Sequence, residues 1–199
     1  MKFEKALLTT MLGTALAVIP AFAQEEAGQS QEVSVQALGS FVKSTTQNGI
    51  DQVATNSAGV LASYRYFFNR YNGIEGNYAF TSNTQNYGSG SLAAVKTGSH
   101  EVSAAYVLRF PGKRISPFAL AGAGGLVFDP RNFAGASTQA RATFVYGAGA
   151  DINMSNHLFM RAEYRGLVYD SPAFGIAGLA GTDRVTHDAE PTVGFGFRF

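Results

Sequence analysis

The residues best equipped for chemistry are three histidines and a scatter of carboxylates and guanidiniums. His100 stands between Ser99 and Glu101, and His187 precedes Asp188. A histidine with a serine and an acid is the set that activates a hydroxyl for acyl transfer. In an extended chain, however, neighbouring residues point to opposite faces, so neither run is a relay by sequence adjacency. His157 falls in a short turn, away from both. Gly122-Ala123-Gly124-Gly125 has the look of a phosphate-cradling loop, but no helix follows to receive a phosphate. Those glycines suit curvature or close packing instead. The chain has no Cys, which excludes thiolate nucleophiles, thiolate zinc sites and disulfides. No carboxylate–His cluster has metal-ligand spacing, so neither a metal nor a cofactor is expected. A net charge of +1 provides no basic surplus for nucleic acid.

The elements that position these groups follow from patterning. Lys2 and Lys5 precede an apolar run to Pro20 and then Ala21-Phe22-Ala23. This is the layout of a secretory signal peptide, residues 1–23, cut after Ala23. The mature chain, 24–199, then opens with a short polar periplasmic tail over 24–31. Beyond it, period-2 alternation recurs eight times, over 33–41, 60–68, 74–80, 102–110, 118–128, 142–152, 158–168 and 191–199. The apolar residues set the phase: Leu158, Met160 and Tyr164 lie on one face of the seventh segment, Arg161, Glu163 and Arg165 on the other. The fifth segment, by the same criterion, presents Phe118, Leu120, Gly122, Gly124, Leu126 and Phe128 together.

Segments of about 9–11 residues match tilted membrane strands, longer than the usual soluble strand. Aromatics at segment ends (Phe41, Phe68, Phe80, Phe110, Phe118, Phe128, Phe199) suit an interfacial girdle. Short connections near 69–72, 111–117 and 153–156 alternate with long polar stretches near 42–59, 83–101, 129–141 and 169–190. The expectation is therefore all-β: an eight-stranded antiparallel up-and-down transmembrane β-barrel with both ends on the periplasmic side. Mean hydropathy of +0.01 is then an average over a lipid face, a small-and-charged interior and polar loops.

The stretches Gly59-Val60-Leu61-Ala62-Ser63-Tyr64-Arg65-Tyr66, Gly73-Ile74-Glu75-Gly76-Asn77-Tyr78, Pro117-Phe118-Ala119-Leu120-Ala121-Gly122-Ala123-Gly124 and Arg161-Ala162-Glu163-Tyr164-Arg165 resemble the eight-stranded bacterial outer-membrane barrels of the OmpA transmembrane domain and OmpX type. The final strand, with Thr192, Gly194, Phe197 and Phe199, resembles the assembly signal that barrel-insertion machinery reads. The resemblance implies an outer-membrane location, reached by export, and contact with outer-membrane lipid and lipopolysaccharide. It does not carry over cell-wall anchoring, because the sequence ends at the eighth segment.

An eight-stranded barrel has room inside only for side chains. Arg65, Glu75, Arg109, Asp151, Arg161, Glu163, Arg165 and Arg198 are thus expected to form a plug of salt bridges. The function expected is structural or interaction-based, with four surface loops open to adhesion or an extracellular ligand. The alternatives are a narrow porin-like channel or small-ligand conduit, and a lipid A-modifying enzyme at the rim. The His-x-Ser signature of the deacylase barrels is absent.

Overall fold

The computed structural model describes residues 31–43, 45–47, 50–87, 93–131, 137–171 and 185–199. The expected signal segment, nearly all of the expected tail and parts of the long polar stretches lie outside them. Ten strands occur among the described residues: β1 (Gln31–Val42), β2 (Thr45–Gln47), β3 (Ile50–Ala54), β4 (Ser57–Phe67), β5 (Asn72–Tyr87), β6 (Ala93–Arg109), β7 (Ile115–Pro130), β8 (Gln139–Asn153), β9 (Leu158–Asp170) and β10 (Val185–Arg198). Eight of them close a fully antiparallel barrel, each next to its sequence neighbour, with β1 pairing β10 as the seam. The short β2 and β3 form a hairpin beyond β4 and add to the upper part of β5. No helix occurs among the described residues. Closure pairs each of the eight barrel strands on both sides, which is what lipid demands of a sheet.

The tight connections are built by side-chain turn chemistry. Asn69 Oδ1 accepts the backbone N–H of Tyr71 and of Asn72, both at 2.9 Å. Ser155 Oγ accepts that of Leu158 at 2.9 Å. Gln31 and Phe199 exchange backbone bonds of 3.0 and 2.9 Å at the same end as these turns. One end of the barrel therefore holds the turns and the seam's termini, and the other holds the loops.

Two expectations need correction. First, the barrel strands other than β4 are longer than 9–11 residues: β5, β6 and β7 have 16, 17 and 16. Much of the polar sequence at 83–101 is strand, and so are parts of the other long stretches. Past the apolar band the inward Asn83, Thr97 and Ser99 stay buried but both parities are largely polar or small, so the period-2 signal fades while the hydrogen-bond ladder continues. Gln31 likewise belongs to β1, opposite Tyr66, and not to a tail.

Second, the phase of β7 is inverted. Phe118, Leu120, Leu126 and Phe128 are buried inside the barrel, and Ala119, Ala121, Ala123 and Val127 face outward. Phe118 and Phe128 are thus not girdle residues. No charge marks either face of 118–128, so bulk was the only cue, and here bulk fills the lumen. Antiparallel pairing enforces the choice: Ala119 and Ala121 stand opposite the outward Leu108 and Tyr106, and paired residues share a face. The other seven segments present their assigned apolar faces outward, with Val35, Val60, Ile74, Val102, Phe144, Tyr164 and Val193 all exposed.

The interior consequently has two kinds of wall. Phe67, Val107, Phe118, Leu120, Leu126, Phe128, Val145, Leu167 and Tyr169 form a buried apolar cluster. Polar and charged side chains of β1, β4, β5, β9 and β10 occupy most of the rest. The glycines of β7 let strands approach where a side chain would obstruct them. A Cβ on Gly122 would sit 2.0 Å from the Ala104 carbonyl oxygen of β6. Gly122→Val is therefore expected to break the β6–β7 ladder, seen as loss of most of the folded, heat-modifiable form on a gel.

Candidate functional site

The lumen charges follow from register. Glu32 lies opposite Arg65 across one neighbouring strand and opposite Arg198 across the other. Glu75 lies opposite Arg65, and Asp151 opposite Arg161. All these residues share the inward parity of their strands, so the ladder delivers acids and bases to one level.

At the turn end they form a single network. Glu32 is its hub: Oε1 accepts from Arg109 at 2.6 Å and from Arg198 at 2.7 Å, and Oε2 accepts from Arg161 at 3.0 Å. Arg161 forks onto Asp151 at 2.7 and 3.0 Å and stands 3.7 Å from Glu75. Arg65 donates to Glu75 and lies 3.9 Å from Asp151 and 3.6 Å from Glu163. Higher up, Arg165 pairs with Glu101, with Glu190 at 3.2 Å and with Glu163 at 4.0 Å. Glu163 joins the tiers, and neither of its carboxylate oxygens accepts a hydrogen bond.

The apolar wall takes part. The Arg65 guanidinium lies 3.9 Å from the Phe118 ring centroid, Arg109 lies 3.6 Å from Phe67, and Arg161 and Arg198 lie 4.9 and 5.1 Å from Phe159. A planar guanidinium covers a ring and still donates at its edge, which an ammonium does less well. Phe159 itself fits because Gly196, opposite it, has no side chain: a Cβ there would be 2.2 Å from the ring.

The structure thus brings Arg65, Glu75, Arg109, Asp151, Arg161, Glu163, Arg165 and Arg198 into ion pairs inside the barrel. Glu32, Glu101 and Glu190 complete those pairs; the sequence pattern assigned none of the three a place in the lumen network, and Glu101 entered only as a neighbour of His100. Each sits one residue outside a window drawn from apolar residues, at the inward parity. Extending the alternation by a single position would have found all three.

The histidines are elsewhere. His100 bonds the Tyr78 hydroxyl at 2.9 Å on the outer face, while Ser99 and Glu101 point inward. His187 bonds the Tyr146 hydroxyl at 2.8 Å, and Asp188 points inward to Ser40. His157 lies in the β8–β9 turn, stacked on Phe197. Among the described residues no group of acids and histidines is arranged to hold a metal ion.

The C-terminal strand divides by face. Thr192 points inward and donates to Gln36 at 2.8 Å. Gly194 lets β1 approach, its would-be Cβ being 2.1 Å from the Val35 carbonyl oxygen. Phe197 and Phe199 lie outward, stacked on one another.

A family model described as the outer membrane protein beta-barrel domain matches residues 12–199. The chain belongs to that family. As an outer-membrane β-barrel it superposes on several solved relatives. OprG of Pseudomonas aeruginosa aligns with TM-score 0.62 and 14% identity over 88% of this chain and 97% of that one. Neisserial surface protein A aligns with TM-score 0.64 and 13% identity over 87% and 100%. Ail of Yersinia pestis, in complex with the heparin analogue sucrose octasulfate, aligns with TM-score 0.57 and 22% identity over 87% and 100%. Such identities establish a shared fold. No curated protein sequence matches this outer-membrane barrel.

Proposed function

We propose that this outer-membrane barrel is a non-conducting scaffold that displays four extracellular loops for contact with a ligand or surface, and that it catalyses no reaction. The observation that carries this reading is the filled lumen. Ion pairs cross its turn end from wall to wall, and an apolar cluster closes much of the remaining section. Breaking such a buried network leaves unpaired charge, which holds the plug shut. The rim histidines support a non-enzymatic role, since each engages a tyrosine hydroxyl on the outer surface, away from the inward serine and carboxylates. Export by residues 1–23 and assembly through Thr192, Gly194, Phe197 and Phe199 belong to the same reading, as do lipid and lipopolysaccharide against the outer face. The complex of Ail with a heparin analogue makes an extracellular ligand at the loops a reasonable target for screening.

Planar-bilayer recording tests the plug. The wild-type protein is expected to give no large, stable unit currents, and Glu163→Ala is expected to raise leakage by removing the carboxylate between the two tiers. Stable wild-type unit currents would favour the narrow-channel alternative and overturn the scaffold reading.

A further inference from the structure

Exposed charge is divided unevenly between the two ends of the barrel. At the loop end, Asp129 and Asp170 accompany Lys43, Lys96 and Arg131, all exposed. At the turn end the exposed lysine, arginine and carboxylate side chains among the described residues are of one sign. They are Arg70 in the β4–β5 turn, and Lys113 and Arg114 in the β6–β7 turn. The acidic side chains of that end, Glu32, Glu75 and Asp151, are buried and paired with lumen arginines, so they do not offset the three cations at the surface.

Backbone bonds fix both turns on the strand ends beside them. The Arg70 carbonyl accepts from the Arg109 guanidinium at 3.5 Å, and the Tyr71 carbonyl accepts the Arg109 N–H at 2.7 Å. Asn153 donates its side-chain amide to the carbonyls of Gly112 and Lys113, at 3.1 and 3.4 Å, and its N–H to that of Arg114 at 2.8 Å. The flanking residues show what these turns face. Phe68 and Tyr71 bracket Arg70, Phe110 and Ile115 bracket Lys113 and Arg114, and all four are about half exposed. Aromatic side chains of this kind settle at the boundary of hydrocarbon and headgroups, where long cationic stems reach outward to the phosphates. A soluble polyanion would meet the cations but leave the apolar flanks in water. Charge of one sign between apolar flanks fits an anionic lipid headgroup.

We propose that the turn end is a binding surface for anionic phospholipid headgroups, held by Arg70, Lys113 and Arg114 in the leaflet that surrounds this end. The surface lies opposite the loops and outside the lumen, so neither a conducting barrel nor a loop ligand alters its test.

The full chain is folded into nanodiscs of phosphatidylcholine with a minor fraction of phosphatidylglycerol. Mass spectrometry identifies the lipid that stays with the protein after partial detergent extraction. The wild type is expected to retain phosphatidylglycerol about fivefold or more above its bulk fraction, the factor that one Lys or Arg contributes beside anionic lipid. High salt should reduce the enrichment. Replacing Arg70, Lys113 and Arg114 together by Gln is expected to return retention close to the bulk fraction. Lys96→Gln with Arg131→Gln, at the loop end, is expected to preserve it. Heat-modifiable mobility reports folding of every variant; if the triple variant does not fold, Arg70→Gln and the Lys113→Gln, Arg114→Gln pair are each expected to lower the enrichment. No enrichment in the wild type, unchanged enrichment in folded turn-end variants, or an equal loss in the loop-end variant would overturn the surface. Displacement of the lipid by inorganic phosphate, beyond that by sodium chloride of equal ionic strength, would make the ligand a free anion and overturn the lipid assignment.

Discussion

Arg161→Met is expected to destabilise the folded barrel by about 3–5 kcal/mol, because it leaves buried carboxylates without their partner. The Arg161 guanidinium forks onto Asp151 and reaches Glu32 at 3.0 Å, and all three residues are buried almost completely. Glu32 keeps Arg109 and Arg198. Among the described residues Asp151 keeps only Arg65 as an ion-pair partner, at 3.9 Å, beyond hydrogen-bond reach. Arg161→Lys is expected to fall between wild type and methionine, since a point charge cannot supply the fork. Adding Asp151→Asn to Arg161→Met should recover part of the loss by removing the orphaned charge along with its partner. Urea titration of the folded fraction on a gel measures all four proteins. Equal stability of Arg161→Met and wild type would show that the network contributes no net stability.

Phe118→Ala is expected to cost a comparable amount, about 3–5 kcal/mol for an aromatic removed from a packed interior. The ring is 3% exposed, receives the Arg65 guanidinium at 3.9 Å and lies over Gly149, whose would-be Cβ is 2.7 Å from it. Truncation would open a void beneath the network and remove the ring face that the cation covers. Phe144→Ala is the matched control, because that ring is 52% exposed on the outer surface and lipid takes its place. The same urea titration should separate the two variants clearly. Equal losses would contradict the inward placement of Phe118.

This contrast also marks how far the pattern along the chain could be read. Seven strands carry either a charge or a clear difference in polarity between their faces, and in each the alternation identified the outward side. The segment 118–128 has bulk on one parity and alanine on the other, with no charge on either. Lipid and a tightly filled lumen are both apolar, so residue type cannot tell them apart. The neighbours decide instead, through the pairing of Ala119 and Ala121 with Leu108 and Tyr106.

The candidate site shows the same division. Arg65, Asp151, Arg161 and Glu163 were legible as inward charges from parity alone. Glu32 was not, because it opens its strand before the first apolar residue, yet it holds three arginines. Its role arises at the seam, where β1 meets β10 and a partner 166 positions away, Arg198, comes within 2.7 Å. Likewise, His100, Ser99 and Glu101 are consecutive in sequence but fall on opposite sides of the barrel wall.

By itself the sequence determined the strand periodicity, the short turns, the barrel class and most of the inward charges, since each depends on local alternation. Only the tertiary structure decided which apolar face of β7 meets lipid, how far strands continue beyond the apolar band, and which acid pairs with which base. Those outcomes depend on register and closure, which bring together residues distant along the chain and which local alternation does not encode.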